Sequence, residues 1–236
     1  MTNETDAVSK KQVEDFYNSY KASQQKIGIN IRHRTILKNL LNVGLRPDSK
    51  VLEVGCGIGT VSGLIIKEIP KGFFCGVDIS DESVGIAKQI YGGTNAEFRV
   101  SDMSDFSHSV KFDFVVLPDV LEHIPVEQHA NLFRILSQVT TPDATVLINI
   151  PEGHCLNWIR KTHPEKLQII DQSLSMQELL NNCYPSGFKL FSMNSYSLQY
   201  VEPEYTSIVL KKNMDHEVYH RKSKLTLGIE NFRSKL

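Results

Sequence analysis

Hydrophobic positions fall into three successive patterns along the 236 residues. From about residue 8 to 43 they recur at helical spacing: Val13, Phe16, Tyr17 and Tyr20, then Ile36, Leu37, Leu40, Leu41 and Val43. Gly28 and Asn30 predict a break between two helices, and Gly44 predicts a helix stop. From Ser49 to about Ile150, short apolar runs alternate with helical stretches. Residues 51–54, 73–77, 96–100, 112–117 and 144–150 read as strands. Residues 60–69, 81–90 and 125–139 read as helices, the first ended by Pro70 and the last with Pro125 at its first turn. The strand runs are unbroken and rich in Val, Ile and Phe, as parallel strands buried on both faces require. Such alternation predicts an α/β protein built on a doubly wound sheet.

Beyond Pro151 the periodicity lapses, and 151–174 is expected to be an insert with little regular structure. Ser175-Met-Gln-Glu178 fits a capping box that opens a helix through Leu179 and Leu180. Two strand-like runs follow Gly187, at 188–196 and 205–210. No helical stretch separates them, so they should pair antiparallel. The tail from Lys211 is polar and mixed in charge.

Composition narrows the class. At 41% hydrophobic and 22% charged, the chain suits a packed core rather than a disordered one. Lys and Arg total 26 against 27 for Asp and Glu, a net charge of -1. No global basic field draws it to nucleic acid or to an anionic membrane. The longest apolar runs are too short to span a bilayer, and the polar N-terminus is unlike a signal peptide. The four cysteines, Cys56, Cys75, Cys155 and Cys183, show no CxxC spacing. They predict reduced thiols and a cytoplasmic protein.

The most informative segment is Val51-Leu-Glu-Val-Gly55-Cys56-Gly57-Ile-Gly59-Thr60. A strand runs into three glycines at alternate positions, and a helix follows. Missing side chains there permit tight turning and close ligand approach. Nineteen residues beyond Gly59 the second strand ends in Gly76-Val-Asp78-Ile79. An acidic side chain at that strand end is where an α/β nucleotide fold holds two ribose hydroxyls. A dinucleotide site uses GxGxxG, whereas this loop reads GxGxG. Glu53 just before it would repel a pyrophosphate but could help hold a cationic amino-acid ligand. NAD is therefore disfavoured.

With Val100-Ser-Asp102-Met103 and Phe112-Asp-Phe-Val-Val-Leu117-Pro118-Asp-Val-Leu-Glu122-His123 added, the chain resembles the class I S-adenosylmethionine-dependent methyltransferases over about 35–150. The resemblance implies a three-layer sandwich with a seven-stranded, mostly parallel sheet of order 3-2-1-4-5-7-6, strand 7 antiparallel. It implies one domain over 1–236: a helical cap at 1–45, a cofactor core at 46–150, a substrate-side insert at 151–174, a final helix and antiparallel hairpin at 175–212, and a polar tail at 213–236. S-adenosylmethionine is the implied cofactor. Gly55, Cys56, Gly57 and Gly59 would form the loop under its methionine part, and Glu53 would help hold its amino group. Asp78 would bind the ribose, Ile79 would pack on the adenine, and Asp102 with the Met103 backbone would meet the adenine amino group. Leu117 and Pro118 would line the methyl region. Tyr17 is expected to close over the cofactor, and Tyr20 to reach the acceptor.

Methyl transfer from this cofactor is mainly a matter of position, with a base to take the acceptor's proton. His123 and His154, both at the cofactor edge of the sheet, are the expected catalytic bases. Glu122 and His163, the latter in the insert, are expected to meet the substrate. His33, flanked by Arg32 and Arg34, is expected on a solvated helix face. Asp119, Glu122 and His123 have the spacing of one helical turn. Some methyltransferases of this fold place a divalent ion on Glu-x-x-Glu-His, but Asp119 replaces the first Glu, so no metal is expected. The acceptor expected is O or N of a small molecule, with the protein a monomer or homodimer. RNA or protein methylation and a catalytically silent cofactor-binding subunit are the alternatives.

Overall fold

The computed structural model describes residues 11–16, 28–212, 221, 223, 224 and 226. Residues 11–16 are helical. Helix α1 (Ile31–Asn42) starts at the expected break, with Asn30 as its cap. Its side chain accepts from the His33 N–H while His33 Nδ1 accepts from the Asn30 N–H, a reciprocal pair that satisfies two open donors. The chain leaves α1 at Gly44, whose φ of 102° suits glycine.

Seven strands follow: β1 (Lys50–Val54), β2 (Phe73–Asp78), β3 (Ala96–Val100), β4 (Phe112–Pro118), β5 (Thr140–Pro151), β6 (Phe188–Tyr196) and β7 (Tyr205–Lys212). Between them lie α2 (Ser62–Glu68), α3 (Asp81–Tyr91), α4 (Val126–Val139), α5 (Gly153–Thr162) and α6 (Met176–Cys183). The sheet order is β3-β2-β1-β4-β5-β7-β6. Strands β1 to β5 pair in parallel, and β7 runs antiparallel to both β5 and β6. This is the expected architecture. Among the described residues, no helix is long and apolar enough to cross a membrane.

Both faces of the sheet are covered. Val51 points into one core with Ile36 and Leu40 of α1, Ile65 of α2, and Val84 and Ala87 of α3. Its neighbour Leu52 points into the other, with Leu132, Phe133 and Leu136 of α4 and Leu179 and Cys183 of α6. Opposite pointing of successive side chains, with helices on both sides, makes both strand faces apolar.

Three expectations need correction. Helix α4 begins at Val126, with Pro125 as the residue before it. His33 is buried rather than solvated, because it caps α1 on the face that packs inward. The insert contains α5 and a 3₁₀ turn, Pro164–Lys166. Helix α5 buries only Leu156, so its sequence lacks an apolar stripe. It is started instead by Glu152, whose carboxylate accepts from the N–H groups of His154 (2.7 Å) and Cys155 (3.0 Å). The β6–β7 turn is built similarly: Glu204 accepts from the N–H groups of Leu198, Gln199 and Tyr200.

Close packing sets one sharp test. A Cβ added at Gly76 in β2 would lie 2.7 Å from the Phe98 ring and 3.1 Å from Cys56 Cβ. Gly76→Ala is expected to lower stability by about 1–3 kcal/mol, measured by urea unfolding.

Candidate active site

A cleft of about 280 Å³ opens at the carboxyl ends of β1, β2 and β4. The loop after β1 forms its floor. Gly55 and Gly57 have φ of 74° and 51°, and a Cβ at Gly55 would collide with Val120. The N–H groups of Gly55 (2.7 Å) and Cys56 (2.9 Å) both donate to the Val77 carbonyl, which folds the loop back over β2.

Asp78 locks this arrangement. Its Oδ2 accepts from the Gly57 N–H at 2.8 Å and its Oδ1 from the Ser80 N–H at 2.9 Å. Burial pushes its carboxyl up, and those backbone donors work in the opposite direction. Ser80 in turn caps α3 through its hydroxyl. One carboxylate thus joins the β1 loop to the start of α3. Glu53 lies at the back of the cleft, 1% exposed, and accepts from Ser62 Oγ at 2.5 Å. Burial pushes it up to about 8 against that hydrogen bond. Cys56 also lines the cleft as a buried thiol that burial pushes up. Ile79, Asp102, Met103 and Pro118 complete this half. Met103 holds φ of 62°, a conformation uncommon for a residue with a side chain, and its N–H donates to Ser101 Oγ.

The other half lies where α1, β4 and the insert meet. Arg32 of α1 reaches Asp119 (2.8 Å) and donates to the Tyr205 hydroxyl (3.0 Å). Burial works against its charge, but Asp119 and Tyr205 outweigh it and hold the guanidinium protonated. Asp119, with φ of 57°, also accepts from the Asn149 amide at 2.8 Å. His123 lines the cleft. Its Nδ1 lies 2.5 Å from the Ile170 carbonyl and 3.2 Å from Asp171. Because a carbonyl can only accept, the proton sits on Nδ1 and the lone pair on Nε2. The insert is pinned to the same turn by Gln172, which donates to the carbonyls of Glu122 and Ile124.

Several expected residues stand elsewhere. Gly59 does not line the cleft; a Cβ there would meet the Tyr91 ring of α3 at 2.7 Å, so its role is helix packing. Leu117 is fully buried in the core, because its side chain points away from the cleft. Glu122 is 1% exposed, with neither carboxylate oxygen partnered. Burial and Asp119 push it well above the carboxylate range. It lies behind His123, its Oε1 3.7 Å from Nε2. His154 is exposed on α5, and His163 packs edge-on against Trp158 beside Glu165. Neither lines the cleft. Tyr17 and Tyr20 lie outside the described residues.

Arg32, Gln168 and Asp171 were missed. Arg32 shares the inward stripe of α1 with Ile36 and Leu40, at intervals of four, and that spacing was the available signal. Nothing local marks Gln168 or Asp171.

Among the described residues, one group brings metal-ligand atoms together: Cys75, Glu97 and His108. His108 Nδ1 accepts from the Val110 N–H at 2.9 Å, so Nε2 carries the proton and donates to Glu97 at 2.7 Å. Arg99 also pairs with that carboxylate. The imidazole has no lone pair left for an ion, so this is a hydrogen-bonded cluster.

Residues 51–143 match the family model described as a methyltransferase domain. The chain is 25% identical over 151 residues to an uncharacterized protein of Rickettsia prowazekii, covering 58% of this chain and 60% of that protein. It is 23% identical over 164 residues to the ubiquinone biosynthesis O-methyltransferase of Actinobacillus pleuropneumoniae, covering 62% and 68%. The chain therefore spans about 60% to 68% of these relatives' lengths. The magnesium protoporphyrin IX methyltransferase of Synechocystis PCC 6803, solved with bound SAH, superposes with a TM-score of 0.69 at 19% identity, over 87% of this chain and all of that one.

Buried Glu53 gives a pH test. Its ordinary value is 4.5 and its folded value about 8. Below pH 4.5 it is protonated in both states and costs nothing. Between the two values the unfolded chain releases a proton that the folded chain keeps, so stability falls as pH rises, and above pH 8 the cost is complete. Urea unfolding of the cofactor-free protein is expected to show Glu53→Gln matching the parent near pH 4.5. By pH 8.5 the variant should be more stable, on the order of a few kcal/mol.

Proposed function

We propose that this chain, which carries a methyltransferase domain at 51–143 on the fold of the S-adenosylmethionine-dependent methyltransferases, moves a methyl group from that cofactor to O or N of a small molecule. The observation that carries the reading is the cradle formed by the Gly55–Gly57 loop and Asp78. Its chemistry fits the cofactor. Glu53, Asp78 and Asp102 offer carboxyl groups to a ligand rich in donors: an ammonium, two ribose hydroxyls and an adenine amino group. A Cβ at Gly55 would strike Val120, so glycine is what lets the loop keep this course beneath the cleft. Glu53 would hold the amino group, Asp78 the ribose, and Ile79 and Met103 the adenine, with Asp102 at its edge. Pro118 would border the methyl region.

The bound cofactor supplies an electrophilic methyl group on a positive sulfonium. The protein's own work is placement and proton removal. His123 is the base. Its Nδ1–H is held by Ile170 and Asp171, which puts the basic lone pair on Nε2, 3.7 Å from Glu122 Oε1, and Nε2 would take the proton from an acceptor O–H or N–H. Asp171 acts through His123 as a positioning residue, fixing the tautomer and favouring the imidazolium that forms. Burial of the His123 side chain, 10% exposed, strengthens both effects.

Calorimetry is expected to show that the protein binds S-adenosylmethionine and SAH. Preference for NAD would overturn the reading. Asp78→Asn should weaken SAH binding by tenfold or more, while far-UV circular dichroism at 25 °C stays that of the parent. His123→Ala should retain SAH affinity within a few-fold and lose about 10²–10⁴ in kcat. His154→Ala should leave both nearly unchanged, since it lies outside the cleft.

A further inference from the structure

The charge of the acceptor can be read from the wall it would meet. Around His123 the cleft is lined by Pro118, Val120, Ile124, Pro125 and Ile170, with two neutral amides, Gln128 and Gln168. Among the described lining residues, Arg32 is the one permanent cation, and Asp119 pairs with it at 2.8 Å. His33, also in the wall, is pushed down to about 4 by burial and by Arg32, so it is neutral at pH 7. Asp78, Asp102 and Asp119 are themselves lining residues. An anionic acceptor would lose its water shell and meet a cation whose charge Asp119 already balances.

Two buried polar atoms of the described lining residues lack a hydrogen-bond partner, Arg32 Nε and Gln168 Oε1. A carbonyl oxygen of this sort is satisfied by a donor, O–H or N–H, and not by another oxygen anion.

We propose that the acceptor is an uncharged, largely apolar molecule whose O–H or N–H donors are received by the neutral wall groups Gln168 Oε1 and His123. Carboxylates and phosphates are refused because Asp119 has already neutralised Arg32 in the wall. The proposal rests on the methyltransferase reading and narrows its substrate class.

The test uses the full chain loaded with SAH and three size-matched probes: 2-naphthol, 2-naphthoate and 2-naphthyl phosphate, titrated calorimetrically at pH 7.5. Failure to bind SAH would overturn the underlying reading, and this inference with it, before any probe is added. With SAH bound, 2-naphthol is expected to bind at least tenfold tighter than either anion. Asp119→Asn, which releases Arg32, is expected to tighten 2-naphthoate relative to 2-naphthol by tenfold or more. The inference is overturned, with the methyltransferase reading intact, if the parent binds 2-naphthoate or the phosphate as tightly as 2-naphthol. It is equally overturned if the SAH-loaded protein binds none of the three. The comparison within the parent protein stands whether or not the variant folds.

Discussion

The carboxylate of Asp78 is the constraint on which the cleft depends. It closes two backbone groups at once, the Gly57 N–H and the Ser80 N–H, and so fixes the β1 loop against the start of α3. The loop cannot hold itself. Gly55 and Gly57 lie in the left-handed region, where glycine loses the most conformational freedom on folding. A charge-assisted bond to each of two backbone donors offsets that cost. Burial raises the energetic stake, because a carboxylate removed from water must be hydrogen-bonded or become protonated. The acid that shapes the cradle is therefore also one that lines it.

The second half of the cleft depends on a longer chain of polar contacts. Arg32 touches Asp119, Asp119 touches Asn149, and Asn149 accepts from the Tyr196 hydroxyl at 2.5 Å. This path runs from α1 across β4 and β5 to β6. The insert joins from the other side, where Asp171 meets His123 and also accepts from the Gln168 N–H at 2.6 Å. Removing one member of such a network exposes the others to an unmet desolvation cost. That cost adds to the burial of Ile36 and Leu40 in seating α1, and it matters more for the insert, whose helix buries only Leu156.

Two acids show how burial divides similar groups. Glu53 and Glu122 are both 1% exposed and both shifted upward. Glu53 has a serine hydroxyl and opens onto the cleft; Glu122 has no hydrogen-bond partner on either oxygen and lies behind His123. Neither difference can be seen in Leu-Glu-Val or Leu-Glu-His, because each is set by what packs against the side chain from other elements.

The sequence by itself determined the sheet and the cradle. Unbroken apolar runs alternating with helical stretches specify parallel strands covered on both faces, and that information is local to each segment. Gly55, Gly57 and Asp78 were equally legible, because the turn after β1 and the end of β2 carry their own chemistry. The tertiary structure decided the rest. It turned Gly59 toward Tyr91, sent Leu117 into the core, left His154 on the surface, and put His123 on the cleft wall. It also brought in Arg32, Gln168 and Asp171. Arg32 meets a tyrosine 173 residues away in sequence, and His123 meets a carbonyl 47 away. Side-chain direction at a strand end and contacts across such distances follow from packing, and packing belongs to the whole fold.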